Sequence, residues 1–240
     1  MYVSKLSSFV SPLRYSLILA VDQRGGMGLN NDLPWKLAGV ENKTDMQWFR
    51  EKTKGKIILM GYNTWVSIGR KPLPGRYNVI ISKAHRQEVN DDMKKWGDEY
   101  YKTEKGQKEP IHSMVCESIP AALAALQAGV GNFHRGGEVM VIGGARIYEA
   151  MMEHTSRIYL TTFAGEFEAD TFVTLNLNKW DLRYRDTMQY LEPKFEIWDT
   201  TEDTLDIPDS EIIQISYEHK PAAGWLADSP DPLKQPKVGE

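Results

Sequence analysis

Cysteine is almost absent: Cys116 is the only one in 240 residues. No disulfide can close within the chain, and a reducing, cytoplasmic setting is the expectation. Long apolar runs are missing too. Nothing approaches the roughly 18 consecutive apolar residues that a membrane-crossing helix needs, so no membrane partner is expected. The first twelve residues are Ser-rich with only small apolar clusters, so no signal peptide is expected there. Self-similarity at solenoid-like periods is lacking. Positive charge is not in excess: 29 Lys and Arg against 33 Asp and Glu give a net charge of −4. Such a chain has no global field for nucleic acid, which is therefore not an expected partner, although a local basic pocket stays open. No metal site is expected. What is present, 41% hydrophobic residues, suffices for one substantial core with appendages.

The chain is organised around Val139-Met-Val-Ile-Gly-Gly-Ala-Arg-Ile-Tyr148. Four apolar, β-branched-rich residues read as a buried strand. Gly143 and Gly144 follow, and from Ala145 the spacing is helical, with Ile147 and Met151 on one face. A helix start at a central strand end can receive a phosphate on its free N–H groups. An ordinary tight turn explains the two glycines equally well. A second strand, residues 56–60, runs into Gly61 and a short helix to Ile68, giving another such junction. Two junctions in one sheet suggest a dinucleotide lying across strand ends.

Residues 15–21 read as a further buried strand. Residues 22–32, with three glycines and two asparagines, break all periodicity and read as a mobile loop ending at Leu33-Pro34-Trp35. A loop with large apolar residues at its end suits a lid, or a plain surface loop with one anchored tryptophan. Residues 44–53 read as a helix capped by Thr44, with Asp45 on one face with Trp48 and Phe49. Asp45 is then either dipole compensation in the first turn or a lone buried acid facing a ligand. The rigid turn Pro72-Leu-Pro-Gly75 precedes Arg76 and a strand to Ser82. An arginine there is usually solvated, or else clamps a carboxylate.

Residues 83–110 read as a polar insertion or loop with a short helix near 91–96, and residues 111–116 as a strand. Ser118 caps a helix over 119–128. Residues 157–163 form the next strand, and 180–185 pair with 212–219 as a closing antiparallel pair. From Pro221 the chain is proline-rich and aperiodic, a disordered tail in which Trp225 and Leu226 could serve an unknown contact.

From Tyr15 to Lys220 these pieces resemble the dihydrofolate reductase family. The resemblance is carried by Leu19-Ala-Val-Asp22, Asp32-Leu-Pro-Trp35, Asp45-Met-Gln-Trp-Phe49, Met60-Gly61 with Thr64-Trp65, Ser67-Ile-Gly-Arg70, Pro72-Leu-Pro-Gly-Arg76, Val141-Ile-Gly-Gly144 and Asp170-Thr171, in that order and spacing. It implies an α/β fold, a mainly parallel eight-stranded sheet with an antiparallel C-terminal strand and helices on both faces. The domain would span 15–220, after an extension at 1–14, with 83–110 inserted and 221–240 as tail. The implied reaction is hydride transfer from NADPH to 7,8-dihydrofolate, giving tetrahydrofolate.

The resemblance also implies roles. Asp45 corresponds to the single acid of the pterin pocket, accepting hydrogen bonds from the 2-amino and N3 groups, and Thr161 to the threonine bonded to that acid. Leu33 and Trp35 correspond to the lid over the reacting rings, completing the catalytic set. Arg76 would grip the α-carboxylate of the glutamate tail, with Met46, Phe49, Ile68 and Leu73 lining the substrate. Ile18, Ile142 and Tyr148 would surround the nicotinamide and pterin. Gly61, Asn63 and Thr64 match one phosphate site of the cofactor, and Gly143, Gly144, Ala145, Arg146 and Ile147 the other, across a cis Gly-Gly peptide. Asp170 would hold the lid, with Thr171 beside it at the cofactor.

Departures are visible. Tyr62 stands where a base for the 2′-phosphate is frequent, leaving Ser82 and Lys83, with Arg86 nearby, to take it. Ala169 stands where glycine is common beside the lid. The stretch from Trp35 to Asp45 is long, and Glu41 lies in it, but the Asp-x-x-Trp-Phe spacing selects Asp45. A monomer binding dihydrofolate and antifolates is expected. The rivals are a reductase of a ribosylated pyrimidine, which lacks the Asp-x-x-Trp-Phe and Pro-Gly-Arg pair, and a ligand-binding structural protein without turnover.

Overall fold

The computed structural model describes residues 13–96, 100–102, 108–110, 112–129, 137–185 and 193–201. The expected strand at 212–219 and the proline-rich stretch lie outside them, as does nearly all of the N-terminal extension.

Strand β1 (Arg14–Val21) leads into the glycine-rich segment, which carries β2 (Gly26–Gly28) and ends in the single-turn helix α1 (Pro34–Leu37). Helix α2 (Lys43–Thr53) follows, then β3 (Ile57–Gly61), which runs directly into α3 (Tyr62–Ser67), and then β4 (Tyr77–Ile81). The polar stretch after it is more structured than its composition suggested. It forms α4 (Arg86–Trp96), 11 residues rather than the short helix expected near 91–96, and a small hairpin of β5 (Tyr100–Lys102) and β6 (Lys108–Pro110). Only Val89 and Asp92 of α4 are buried, so the periodic apolar signal was too thin to read. Next come β7 (His112–Cys116), α5 (Ile119–Gln127), β8 (Glu138–Gly143), α6 (Ala145–Met151), β9 (Thr155–Thr162), β10 (Thr171–Phe172), β11 (Trp180–Arg185) and β12 (Lys194–Thr200). Ser118 caps α5, its Oγ accepting from the Ala121 N–H.

One eight-stranded sheet has the order β11-β12-β9-β1-β8-β3-β4-β7. From β9 to β7 every pairing is parallel, and β12 runs antiparallel to both of its neighbours. Among the described residues the partner of β11 is β12, and the expected partner at 212–219 lies outside them. Phe195 and Ile197 supply the buried alternation that fixes β12, and the connection from β11 is short enough for an antiparallel return.

Every residue of β3 is buried, as expected of a parallel strand covered on both faces. Leu17, Leu59, Val79 and Val141 turn to one face, where Ala122 and Leu126 of α5 and Tyr148 and Met151 of α6 meet them. The alternate residues turn to the other face, where Trp48 of α2 lies edge-on to Tyr159 at 6.5 Å and 4.9 Å from Phe195. Helix α2 therefore carries Asp45 to the face opposite α5 and α6. Its N-cap is Asn42 rather than Thr44, and no side chain caps it.

Arg157 of β9 and Asp199 of β12 form a buried two-pronged pair, Nε–Oδ1 at 2.6 Å and Nη2–Oδ2 at 2.9 Å. Removing one partner strands the other charge out of water. Arg157→Met should cost about 3–5 kcal/mol in urea unfolding. The double variant Arg157→Met, Asp199→Leu should recover most of that loss. A single variant as stable as wild type would show that the pair does not hold the antiparallel edge.

Candidate active site

Asp45 is 5% exposed, on the first turn of α2. Burial pushes its carboxyl up to about 6, and a hydrogen bond from the Thr161 hydroxyl opposes that rise without cancelling it. Thr161 sits near the C-terminal end of β9, beside Ala20 of β1. The alternative acid Glu41 is exposed and paired with Lys43. Tyr148 of α6 is buried and donates from Oη to the Ile18 carbonyl at 2.8 Å. Burial raises its pKa, and the charge of Asp45 adds to that rise. So Ile18, Tyr148, Asp45 and Thr161 are tied into one neighbourhood at the ends of β1 and β9.

At the end of β8 the Gly143–Gly144 peptide is cis, and Gly143 has φ +118, a conformation that disfavours any side chain. A Cβ on Gly143 would also meet Tyr148 Oη at 3.2 Å and Thr64 Oγ1 at 3.3 Å. A Cβ on Gly61 would meet Ile147 Cγ1 at 3.0 Å. These glycines bring the start of α3 against the start of α6, so Gly61, Thr64, Gly143, Gly144 and Ile147 adjoin. Ala145 follows at the start of α6 and Ile142 is buried in β8, whereas Met46, Asn63, Lys83 and Arg146 are exposed.

The glycine-rich segment is pinned at several points. Asn30 and Asn31, both with positive φ, make a tight turn closed by reciprocal backbone bonds between Leu29 and Asp32. Strand β2 pairs with β10 through Gly28 and Thr171. Asp170 Oδ2 accepts from the Asn30 N–H at 2.8 Å, and the Asp170 N–H donates to the Gly28 carbonyl at 2.9 Å. Asp22, 1% exposed, closes the base. Burial raises its pKa, but N–H groups of Phe167, Gly26 and Arg24 outweigh that and hold it below the usual carboxylate range. Past the turn, Leu33 is half-buried and Trp35 is fully buried, stacked on Phe163 at 4.2 Å. The Trp35 indole N–H is a buried donor with no hydrogen-bond partner among the described residues.

Arg76 is buried rather than solvated, because α2 offers it acceptors. Its Nε donates to Thr53 Oγ1 at 2.8 Å, Nη1 to the Pro74 carbonyl at 2.7 Å and Nη2 to the Arg50 carbonyl at 3.3 Å. The last turn of α2 thus receives a cation at its negative end. Phe49 lies 6.0 Å from the guanidinium carbon, and Leu73 and Ile68 are half-buried nearby in sequence.

Two positioning residues escaped the sequence reading. Asn78 holds the Pro-Leu-Pro-Gly turn in shape by bonding the N–H and C=O of Leu73 and the carbonyl of Arg76. An asparagine inside an apolar strand was the available signal. Asp22 was visible only as the last letter of a motif; two of its donors, Arg24 and Gly26, are in its own loop, and the third, Phe167, is remote in sequence.

Among the described residues no cluster of His, Cys, Asp or Glu is placed to hold a metal ion. Residues 14–197 match the family described as Dihydrofolate reductase. The chain belongs to the dihydrofolate reductase family. The dihydrofolate reductase of Haemophilus influenzae is 30% identical over 174 residues, which are 72% of this chain and 86% of that protein. That of Buchnera aphidicola from Acyrthosiphon pisum is 31% identical over 160 residues, 67% of this chain and 78% of that one. Among solved structures, dihydrofolate reductase from Enterococcus faecalis complexed with NADP(H) and RAB-propyl shares the fold. Its TM-score is 0.54 at 20% identity, covering 78% of this chain and 96% of that one.

The Asp45 carboxyl carries a stability consequence within this dihydrofolate reductase fold. The folded protein holds its proton more tightly than the unfolded chain, so ionisation between about pH 4 and 6 costs stability, fully so above 6. Asp45→Asn removes the charge. The ligand-free variant should be more stable than wild type at pH 8, by up to about 3 kcal/mol, with the gap closing below about pH 4. A gap that does not change with pH would contradict the raised carboxyl.

Proposed function

We infer that this chain reduces 7,8-dihydrofolate to tetrahydrofolate with NADPH. The observation that carries the reading is the buried carboxylate of Asp45, which has no cationic partner among the described residues and is bonded by the Thr161 hydroxyl; Phe163, two residues beyond Thr161, stacks on Trp35. A lone anion inside an apolar pocket selects a ligand that offers it two N–H donors, which the 2-amino and N3 groups of a pterin do.

The strand-end glycines fit a dinucleotide, since they leave backbone rather than side chains between the starts of α3 and α6. In this reading Gly61, Asn63 and Thr64 hold one phosphate, and Gly143, Gly144, Ala145, Arg146 and Ile147 the other. Ser82 and Lys83 face the adenosine end, Thr171 lies by the lid, and Ile18, Ile142 and Tyr148 enclose the nicotinamide. When bound, NADPH supplies the hydride.

Asp45, ionised above pH 6, orients and polarises the pterin, and Thr161 fixes the carboxylate plane. Leu33 and Trp35 exclude bulk water, and the unpartnered Trp35 N–H offers a donor to an ordered water or the ligand. The proton gained at pterin N5 comes from solvent, because one carboxylate cannot both hold the ring and deliver that proton. Met46, Phe49, Ile68 and Leu73 line the benzoyl part, and Arg76 receives the glutamate α-carboxylate. We assign the activity to a cytoplasmic monomer. The buried reduced Cys116 and the lack, among the described residues, of a helix able to cross a membrane support the setting. Antifolates presenting paired N–H donors to Asp45 are expected inhibitors.

Two variants test the assignments. Asp45→Asn should lower turnover at pH 7 by about 10²–10³-fold while NADPH binding stays within about twofold, because an amide cannot replace the anionic acceptor. Full activity would remove Asp45 from the mechanism. Arg76→Lys should raise the dihydrofolate KM about tenfold or more, since losing a charge-assisted fork costs about 1.5–3 kcal/mol. Equal weakening of NADPH would count against the clamp.

A further inference from the structure

The ends of β8, β3 and β4 lie side by side, at Gly143, Gly61 and Ile81. Adjacent strands are about 4.8 Å apart, so a cofactor with its nicotinamide by β8 reaches the end of β4 with its adenosine. NADPH and NADH differ there by one phosphate, and the chain needs a polar group to tell them apart.

The polar side chains at that end are mostly committed. Tyr62 Oη donates to Glu88 Oε2 at 2.9 Å and accepts from Arg70 Nη2 at 3.1 Å. Arg70 Nη1 also bonds Glu88 Oε1, and it reaches Asp92 Oδ2 at 3.2 Å. Asp92 is further held by Lys95 and the Trp65 indole, and Arg86 is paired with Glu117. Among the described residues, the exposed Lys83 has no ion-pair partner and the half-exposed His85 is bonded through Nδ1 alone on its ring.

His85 is built into place. Its ring stacks on Tyr62 with centroids 3.9 Å apart and planes 9° apart. Nδ1 lies 3.1 Å from Glu88 Oε2, and its backbone N–H donates to Ser82 Oγ at 3.1 Å. Nε2 has no partner among the described residues. With Nδ1 at the carboxylate, neutral imidazole leaves Nε2 as an acceptor, which repels phosphate. A second proton makes Nε2 a cationic donor, which suits a phosphate oxygen.

We propose that His85 reads the 2′-phosphate of NADPH, so that preference for NADPH over NADH strengthens as the imidazole takes up a proton. The proposal rests on the NADPH reading above. The charged groups around His85 are Glu88, Arg70, Lys83 and Arg86; the phenol of Tyr62 is the other titratable one. Glu88 is already balanced by Arg70.

The test measures Kd for NADPH and NADH by fluorescence, and for adenosine 2′,5′-bisphosphate and AMP by calorimetry, from pH 6.0 to 8.5 at constant ionic strength. In wild type the selectivity ratio should fall about fivefold or more across that range. The phosphate's own ionisation is common to all variants, so the comparison between them decides. His85→Gln should lose the His-dependent fall and match wild type at high pH. His85→Lys should keep a high ratio at pH 8.5, and Lys83→Gln should lower the ratio at every pH without removing the fall. An unchanged ratio and slope in a folded His85→Gln and in His85→Lys would overturn the proposal. Failure of wild type to bind NADPH would instead overturn the underlying function reading, and with it this one.

Discussion

A carboxylate kept out of water is the constraint on which the site depends. Burying Asp45 as an ion is unfavourable, and one hydroxyl from Thr161 does not offset it. The fold tolerates that cost because α2 is anchored on either side of the acid. Trp48 packs on Tyr159 and Phe195, and the last turn of α2 holds Arg76 through Thr53 and the Arg50 carbonyl. Hydrophobic packing in the middle of the helix and a cation at its end therefore maintain an unfavourable group at its start. The same helix sets the distance between the acid and the arginine.

The glycine-rich segment follows a related logic. Glycine and asparagine make residues 22–32 adaptable, yet polar tethers give the segment one shape. Asp22 gathers three backbone donors at its base, and Asp170 with Gly28 ties its tip to β10. Both carboxylates accept from main-chain groups, so the segment's position rests on hydrogen bonds rather than on buried apolar area. Such contacts open at lower energy than a packed core does. Trp35, just beyond the segment, is held by its stack on Phe163.

At the far end of the sheet, α4 changes what the strand ends present. Glu88 and Asp92 draw Tyr62, Arg70 and Trp65 into one network, so the surface beside β4 owes its character to a helix whose sequence looked like a solvated linker. A polar segment can shape a binding surface without contributing to the core, since ion pairs and ring stacking need no apolar periodicity.

The sequence by itself determined the parallel strands, the glycine junctions after β3 and β8, and the family. Apolar runs and paired glycines are local signals, and the motif order is a property of the chain alone. It also singled out Asp45 and Arg76, but left each with two readings. Tertiary structure shows that both are buried: Arg76 bonds Thr53 and the Arg50 carbonyl of α2 and the Pro74 carbonyl, and the partner of Asp45 lies more than a hundred residues away on β9. Distance in sequence also hid the Phe167 N–H that bonds Asp22. The pairing of β11 with β12 was not legible because several C-terminal segments alternate, and the packing of Phe195 against Trp48 is what fixes β12. Local pattern names the elements, whereas burial and polar partnership depend on which elements meet, and that is settled only when the sheet assembles.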